Sequence, residues 1–305
     1  MAHPISLRMT PLDWTLLLIL SLLWGGSFFF IGVAVKTVPP TTLAFLRVGI
    51  ACVALHLILA SRGQYRFHLK SAWKPFLAMG VLNNVIPFTL IMWSETRIAS
   101  GLASILNATT PLFTLLVAHT FTRDERLTPI RLFGVLLGLA GVSLIVGSDL
   151  LKGIFSNNLA QFACLAAAIS YAFAGVFGRR FKALGLPPMT TAAGQLTAST
   201  ALLGPIALGV DHPWHLAAPS LTTWSAILAL AFLSTALAYI LYFRILATSG
   251  ATNLLLVTFL IPVSAVVLGI AFLGEHLRIE SLMGFGLIAC GLVAIDGRQV
   301  RRTAR

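Results

Sequence analysis

The second half of this chain repeats the first half. Residues 99–111 and 125–141 are matched by residues 250–262 and 275–291 in glycine, proline and glutamate positions. Pro111 and Pro262 lie 151 residues apart, and a Pro-Pro pair at residues 39–40 recurs 148 residues later, at 187–188. A one-residue gap is enough to align Pro111 to Gly141 with its copy. The repeat predicts two similar units, residues 12–148 and 153–296.

Ten apolar runs divide equally between these units. Hydrophobic residues form 58% of the sequence and charged residues 10%, a composition that is far from that of a soluble domain. Seven charge-free runs reach the ~20 residues that span a bilayer: Trp14–Val35, Pro75–Ser94, Ile98–Thr122, Gly153–Gly178, Ala183–Val210, Pro213–Phe243 and Ile245–Gly274. Weaker candidates are Thr41–Leu59, Leu132–Ser148 and Ser281–Ile295. We therefore predict an all-α integral membrane protein, residues 1–305, with five transmembrane helices per unit.

The basic residues are unevenly distributed between the two predicted membrane faces. Of the 21 Lys and Arg residues, sixteen fall on the face that holds the amino terminus. The opposite face has four: Lys36, Arg97, Lys152 and Arg278. This bias places both termini in the cytoplasm and explains the net charge of +12 without nucleic acid as a partner. Equivalent loops of the two units differ in charge, which indicates that the units are inserted in opposite orientations.

Several motifs carry a family resemblance. Trp24-Gly25-Gly26-Ser27-Phe28, Pro39-Pro40 with Phe45-Leu46-Arg47, and the duplicated segments 111–125 and 262–275 resemble the EamA-type pattern of the drug/metabolite transporter superfamily. The resemblance covers about residues 12–296. It implies a 5+5 inverted repeat around a central cavity, with the fifth and tenth helices at the periphery. It also implies transport across a bacterial inner membrane, and the chain looks most like YddG-type aromatic amino-acid exporters.

Charged residues within the spans limit the class of substrate. Arg47 is the one charged residue deep in a predicted helix, whereas Asp13, Glu95 and Arg244 are near helix ends. A carrier of lipophilic cations needs a buried carboxylate, and a phosphate exchanger needs several buried basic groups. The sequence therefore favours export of neutral or zwitterionic metabolites such as amino acids. A proton-coupled multidrug efflux carrier is the alternative.

Arg47 has two interpretations. Its long side chain can snorkel toward the outer end of the second helix or brace backbone carbonyl groups. The functional alternative is a handle for the carboxylate of a substrate. Its counterpart in the second unit is Gln195, which is neutral, so any such handle is asymmetric.

Further polar and aromatic residues lie at similar depth in the predicted helices. The candidates for substrate binding are Trp24, Asn83, Asn84, Asn107, Thr110, Tyr171, Tyr239 and Thr258. Helix packing and interhelical hydrogen bonds are the structural alternative for each of them. Pro87, Pro111 and Pro262 interrupt helices and are predicted hinges, because proline removes a backbone hydrogen bond. Pro111 and Pro262 are equivalent in the two units.

A membrane-embedded enzyme is the alternative of another class. The sequence lacks the H-E-x-x-H and G-x-S-x-G motifs, so we expect no enzymatic activity, metal or cofactor. His56 and His119 are expected near the cytoplasmic ends of their helices. Small residues at Gly134, Gly138 and Gly284 permit close helix packing within a monomer or a weak homodimer. The expected partners are the lipid bilayer and a small-molecule substrate.

Overall fold

The computed structural model describes residues 10–63, 69–122, 127–151, 155–254 and 256–296, and within these ranges all regular structure is helical. Ten helices follow one another along the chain. They are α1 (Pro11–Ala34), α2 (Pro40–Ser61), α3 (Leu69–Gly80, Val81–Val85 and Ile86–Ser94), α4 (Ser100–Asn107 and Thr110–Phe121), α5 (Pro129–Leu151), α6 (Phe155–Ala183), α7 (Pro188–Asp211), α8 (Leu221–Ala231, Phe232–Leu237 and Ala238–Leu254), α9 (Val257–Leu273) and α10 (Ile279–Asp296).

The lengths and composition of these helices confirm the predicted membrane protein. Helices α1 to α8 each contain a segment that is long and apolar enough to cross a membrane, and α9 and α10 are shorter apolar helices. Five helices is an odd number, so a chain that crosses the membrane five times begins its second half on the opposite side. The ten helices therefore form two halves of inverted topology.

The starts of several helices follow directly from the sequence. At α1, Thr10 Oγ1 accepts from the Asp13 backbone N–H, and the Asp13 carboxylate accepts from the Thr10 N–H. This reciprocal capping satisfies two N–H groups that the helix leaves unpaired. Helices α2 and α7 both begin with a proline, Pro40 and Pro188, which costs no hydrogen bond at that position. The repeated Pro-Pro pair therefore marks equivalent helix starts.

Each half contains one π-helical segment at the equivalent position. Val81–Val85 widens α3, and Phe232–Leu237 widens α8, 151 residues further along the chain. A π segment leaves backbone carbonyl groups without their usual partners, and such segments occur frequently at functional sites. Hydroxyl groups supply partners here: Ser170 Oγ donates to Leu82 O at 2.7 Å, and Thr235 Oγ1 donates to Leu230 O at 2.9 Å.

Helices α5 and α10 pack closely along a face of glycines. A Cβ atom added at Gly134 would lie 2.5 Å from Gly291 O, and one added at Gly141 would lie 2.5 Å from Gly284 O. These two contacts are related by the repeat. The small-residue faces are therefore used within the chain. Gly138 contacts α10 through its backbone near Gly291, and a Cβ atom added to it would point at Leu112 of α4.

Two predicted spans have wrong boundaries. The charge-free run Ile245–Gly274 was expected to be one span, but α8 continues to Leu254 and α9 begins only at Val257. The run has no charge to end a helix, and side chains support the continuation, since Asn253 Nδ2 donates to Ser249 O at 2.9 Å. The run Pro213–Phe243 also differs, because its helix begins at Leu221 after a short 3₁₀ turn at Pro213–His215.

Helices α4 and α9, which are equivalent in the repeat, differ in shape and packing. Helix α4 is interrupted at residues 108–109. The equivalent stretch, residues 251–272, is divided instead between the end of α8 and α9, and α9 runs without interruption through Pro262. The segment Ser100–Asn107 packs against α1, α6 and α9, and the segment Thr110–Phe121 packs against α6. Among the described residues, α9 has no packing of comparable extent with α6 or with Thr110–Phe121. The two helices therefore meet at one end only.

Candidate functional site

Arg47 lies in the interior of the bundle and joins three helices. Its side chain is 6% exposed, and Nε donates to Thr235 Oγ1 at 2.9 Å. The guanidinium carbon lies 3.8 Å from the ring centre of Phe88 in α3, a cation–π contact. The expectation that Arg47 snorkels to a membrane surface is therefore wrong. Thr235 belongs to the π segment of α8, which brings its hydroxyl within reach of α2.

A second hydrogen-bonded group lies on the opposite side of the repeat axis. Asn83 Nδ2 donates to Gln195 Oε1 and to Tyr239 Oη, each at 3.3 Å. Tyr239 Oη donates to Asn84 Oδ1 at 3.4 Å, and Asn84 Nδ2 donates to Ser199 Oγ at 2.8 Å. Asn83 and Asn84 are in the π segment of α3, so each π segment presents polar side chains to the helix that follows the Pro-Pro pair of the other half.

Two phenol groups lie near the Arg47 cation. Tyr171 of α6 and Tyr239 of α8 are both close enough to interact with the charge of Arg47, and so is the Glu95 carboxylate. Tyr171 and Tyr239 remain partly exposed at mid-helix. The structure therefore joins three predicted residues, Asn83, Asn84 and Tyr239, into one polar group, and Arg47 and Tyr171 lie beside it.

A row of aromatic rings links this polar group to Trp24. The ring centres of Tyr239 and Phe243 are 6.2 Å apart, those of Phe243 and Tyr242 5.2 Å, and those of Tyr242 and Trp24 5.6 Å. All four rings are partly exposed although they lie inside the bundle. Together they form an aromatic wall beside the hydrogen-bonding groups, and Gly25 allows the close crossing of α1 and α9 next to it.

Three predicted binding residues lie apart from this group. Thr110 Oγ1 donates to the Asn107 backbone carbonyl at 2.7 Å, within the interruption of α4. The Asn107 side chain is partly exposed, and its Oδ1 atom has no hydrogen-bond partner among the described residues. Thr258 is partly exposed in the first turn of α9. These residues belong to the two helices that differ between the halves.

The predicted hinges occupy different backbone environments. Pro87 is the second residue after the π segment of α3, and Pro111 is in the first turn after the interruption of α4. Pro262 is inside the continuous helix α9. Pro87 and Pro111 therefore coincide with irregular backbone, whereas Pro262 does not.

Several residues of the polar group and its surroundings were not predicted as binding residues from the sequence. Gln195 was considered only as the neutral counterpart of Arg47, and Ser199, Thr235, Phe88 and Tyr242 were not considered. The repeat itself carries the signal for two of these residues, because an offset of 151 takes Asn84 to Thr235 and Phe88 to Tyr239.

Two ionisable residues differ from expectation. Glu95 follows the last residue of α3, but its side chain is 8% exposed and therefore buried, because neighbouring segments cover the end of the helix. His56 lies near the end of α2, as expected, but it is half-buried, and its Nε2 lies 2.9 Å from Thr197 Oγ1 of α7. His119 is exposed near the end of α4, as predicted. Among the described residues, no group of three His, Cys, Asp or Glu side chains is placed to hold a metal ion.

Comparison with known proteins places the chain among transporters. The uncharacterized transporter YoaV of Bacillus subtilis strain 168 is 27% identical over 277 residues, which are 89% of this chain and 92% of the relative. The uncharacterized inner membrane transporter YedA of Escherichia coli K12 is 28% identical over 280 residues, 90% of this chain and 88% of the relative. A probable amino-acid metabolite efflux pump of Salmonella typhimurium LT2 is 27% identical over 306 residues, 97% and 99% of the two chains.

A structural match and a family match agree with these sequence relatives. A solved crystal structure matches with a TM-score of 0.67 and 20% identity, over 93% of this chain and 96% of its own. The model of the EamA-like transporter family matches twice, at residues 14–147 and at residues 158–295. The chain belongs to the EamA-like transporter family, within the drug/metabolite transporter superfamily.

Proposed function

We propose that this protein is a secondary transporter that exports neutral or zwitterionic metabolites, with amino acids, including aromatic ones, as the main substrates. The observation that carries the proposal is the position of Arg47. It is the one buried Lys or Arg among the side chains that the structure describes. It contacts the Thr235 hydroxyl and the Phe88 ring, and Tyr171, Tyr239 and Glu95 are close enough to interact with its charge. A single buried cation matches a single carboxylate.

The remaining groups match the rest of an amino acid. Asn83, Gln195 and Tyr239 offer oxygen atoms that accept hydrogen bonds from an ammonium group. Trp24 and Tyr242 offer ring faces, which suit an apolar or aromatic side chain. A multiply charged anion finds too few cations here, and a lipophilic cation is repelled by Arg47. The Salmonella relative, named as a probable amino-acid metabolite efflux pump, supports the same substrate class.

The unequal packing of α4 and α9 supports alternating access as the mechanism. The two helices meet where Glu275 accepts from the N–H groups of Ser100 and Gly101, at 2.7 and 3.1 Å; this is the Glu275 end. At the opposite end, the Asp13 end, Thr248 Oγ1 donates to Asp13 Oδ1 at 3.0 Å, but α4 and α9 lack comparable packing. The positive-inside bias assigns the Asp13 end to the cytoplasm. The substrate cavity is then open to the cytoplasm.

A proton-coupled multidrug carrier is the second candidate, because Glu95 is buried. The positive charge of Arg47 interacts with this carboxylate and repels a second cation. Glu95 is therefore a poor counter-charge for a cationic drug. We therefore propose facilitated diffusion driven by the concentration gradient of the substrate, in a monomer with cytoplasmic termini in the inner membrane.

Counterflow in proteoliposomes tests the proposed function. Vesicles preloaded with unlabelled solute are diluted into labelled solute, with amino acids, quaternary ammonium compounds and sugar phosphates as separate panels. We expect saturable exchange of neutral amino acids, aromatic ones included, and none in vesicles without protein. An imposed pH gradient is expected to produce no accumulation. Exchange restricted to quaternary ammonium compounds, or release of a chemically altered product, would contradict the proposal.

A further inference from the structure

Glu95 is a buried carboxylate for which the described residues provide no hydrogen bond. Its side chain is 8% exposed, and neither Oε1 nor Oε2 has a hydrogen-bond partner among the described residues. Ser100 Oγ, at the start of α4, is also buried and without a partner there. An ionised carboxylate without hydrogen bonds is costly to bury, and neutralisation by a proton removes most of this cost.

Three glycines provide the space for this carboxylate and its neighbour Glu275. A Cβ atom at Gly32 of α1 would lie 3.6 Å from Glu95 Oε2 and 3.6 Å from Ser100 Cβ. A Cβ atom at Gly269 of α9 would collide with the Glu275 carboxylate and lie 3.1 Å from Ser100 Oγ. At Gly101 the nearest Glu275 oxygen would lie 3.5 Å away. The two carboxylates are therefore enclosed where α1, α4 and α9 meet.

The charged groups around Glu95 come from several elements. Glu275, in the connection between α9 and α10, acts on it with like charge, and Arg47 of α2 acts with opposite charge. Cys164 of α6 is a further ionisable group close to Glu95, and its Sγ lies 2.9 Å from Ser94 Oγ. Burial and the charge of Glu275 raise the pKa of Glu95 well above its ordinary value, and Arg47 opposes them.

We propose that Glu95 is a proton-binding site that controls opening of the Glu275 end of the transporter. Its carboxylate takes one proton from the solution when that end closes and returns the proton to the same solution when it opens. No other bond forms or breaks. Because the proton enters and leaves on one side, it changes the rate of transport without driving accumulation. This inference rests on the alternating access proposed above.

The sign of the pH effect follows from burial. In the closed state Glu95 is buried beside Glu275, whereas opening exposes it to water and restores an ordinary pKa. Protonation therefore stabilises the closed state, fully at pH values below the pKa of the open state. The stabilisation is lost as the pH rises through the higher pKa of the closed state. Each unit of difference between the two pKa values changes the equilibrium by up to about tenfold.

A distance measurement on the full chain tests this inference without a substrate. Spin labels at Thr96 and Ile270, both exposed, report the separation of the α3–α4 turn from α9 in a Cys290→Ser background. Between about pH 5 and about pH 8 we expect the ratio of short to long distances to fall at least roughly tenfold. Glu95→Gln is expected to keep the short distance at both pH values, and Glu95→Asp to restore the pH response.

Controls separate this inference from the proposed function. Asp211 is a carboxylate at the same end that accepts from the Thr42 N–H and hydroxyl, so Asp211→Asn is expected to retain the wild-type response. If Glu95→Gln does not fold, Glu95→Ala replaces it with the same expectation of lost pH response. The inference would be overturned if the wild-type distance did not change with pH, or if Glu95→Gln or Glu95→Ala responded to pH as the wild type does. Failure of amino-acid counterflow would contradict only the proposed function, because the distances are measured without substrate.

Discussion

Two pairs of helices that are equivalent in the repeat behave differently in this structure. Helices α5 and α10 pack symmetrically, with Gly134 against Gly291 and Gly141 against Gly284. Helices α4 and α9 pack at the Glu275 end alone, and the helix breaks fall at different places, within α4 in the first half and between α8 and α9 in the second. One pair obeys the symmetry of the sequence and the other departs from it. We therefore propose that α5 and α10 form a fixed scaffold and that α4 and α9 rearrange to open and close the cavity.

The site residues show the same contrast between backbone and side chains. Both halves supply a π segment at the same position, yet the first half places Arg47 where the second places Gln195. The backbone is therefore symmetric at this site, whereas the positive charge of Arg47 is present in one half only. Under the proposed function, a symmetric backbone would allow the two facing states to have similar energies, and the asymmetric side chains would orient a substrate that has one carboxylate.

The largest expected effect concerns the scaffold pair. Gly291→Val places a branched side chain against the backbone of Gly134, and overpacking of this kind costs about 1–3 kcal/mol. We expect a loss of monodisperse protein and a lower melting temperature in detergent. The matched control is Gly286→Val in the same helix, where nothing lies within 4 Å of an added Cβ. Equal melting temperatures for the two variants would contradict the proposal that α5 and α10 form a scaffold.

The second effect concerns the asymmetric charge. Arg47→Gln makes the two halves alike at this position and removes a charged hydrogen bond, worth about 1.5–3 kcal/mol, or roughly 10- to 100-fold in amino-acid counterflow. Arg47→Lys keeps the charge without the planar fork and is expected to be intermediate. Melting temperatures serve as the control for folding. Normal counterflow by folded Arg47→Gln would show that the cation braces the helices and does not bind the substrate.

A smaller effect is expected for the aromatic wall. Trp24→Ala removes a ring that contacts Tyr242, and a loss of about 1 kcal/mol corresponds to roughly fivefold slower counterflow of aromatic amino acids. Trp224, which is 39% exposed near the start of α8, provides the control, since Trp224→Ala leaves the wall intact. Transport that falls equally in both variants would assign the effect of Trp24 to general packing.

The smallest effect is expected at the prolines of the asymmetric pair. Pro111→Ala and Pro262→Ala each restore a backbone N–H, and we expect shifts of about twofold to threefold in the balance between the two facing states. Because α4 and α9 are inverted equivalents, the shifts should have opposite signs. Cysteine accessibility at the Glu275 end measures them. Shifts of the same sign would contradict the assignment of hinges by symmetry.

The sequence predicts the ten helices well, because the thickness of the bilayer sets the length of each apolar run and charged residues separate the runs. It does not predict the π segments, since their backbone depends on which neighbouring hydroxyl groups accept or donate, as Ser170 does for Leu82. The position of Glu95 is another example. Distance from a helix end suggests exposure, but burial depends on Gly32, Gly269 and the Glu275 segment, which are distant in the sequence.

The candidate site is predicted in part. Arg47, Asn83, Asn84 and Tyr239 are identified from their depth in apolar helices. Hydrogen bonds join the last three, and Arg47 is close enough to Tyr239 for its charge to interact with it. Asn107, Thr110 and Thr258 have the same depth but lie on α4 and α9, where the two halves differ. Depth alone therefore selects candidates, whereas rotation of each helix about its axis decides which of them meet.

The most direct test of the central claim measures three distances between spin labels in the same membrane preparation. One pair, Thr96 with Ile270, spans α4 and α9 at the Glu275 end; the second, Thr120 with Leu256, spans them at the Asp13 end; the third, Leu136 with Val293, spans α5 and α10. When an exchangeable amino acid is added, we expect the first distance to lengthen, the second to shorten and the third to stay constant. Changes of the same sign at both ends, or a change between α5 and α10, would contradict alternating access by α4 and α9 around a fixed scaffold.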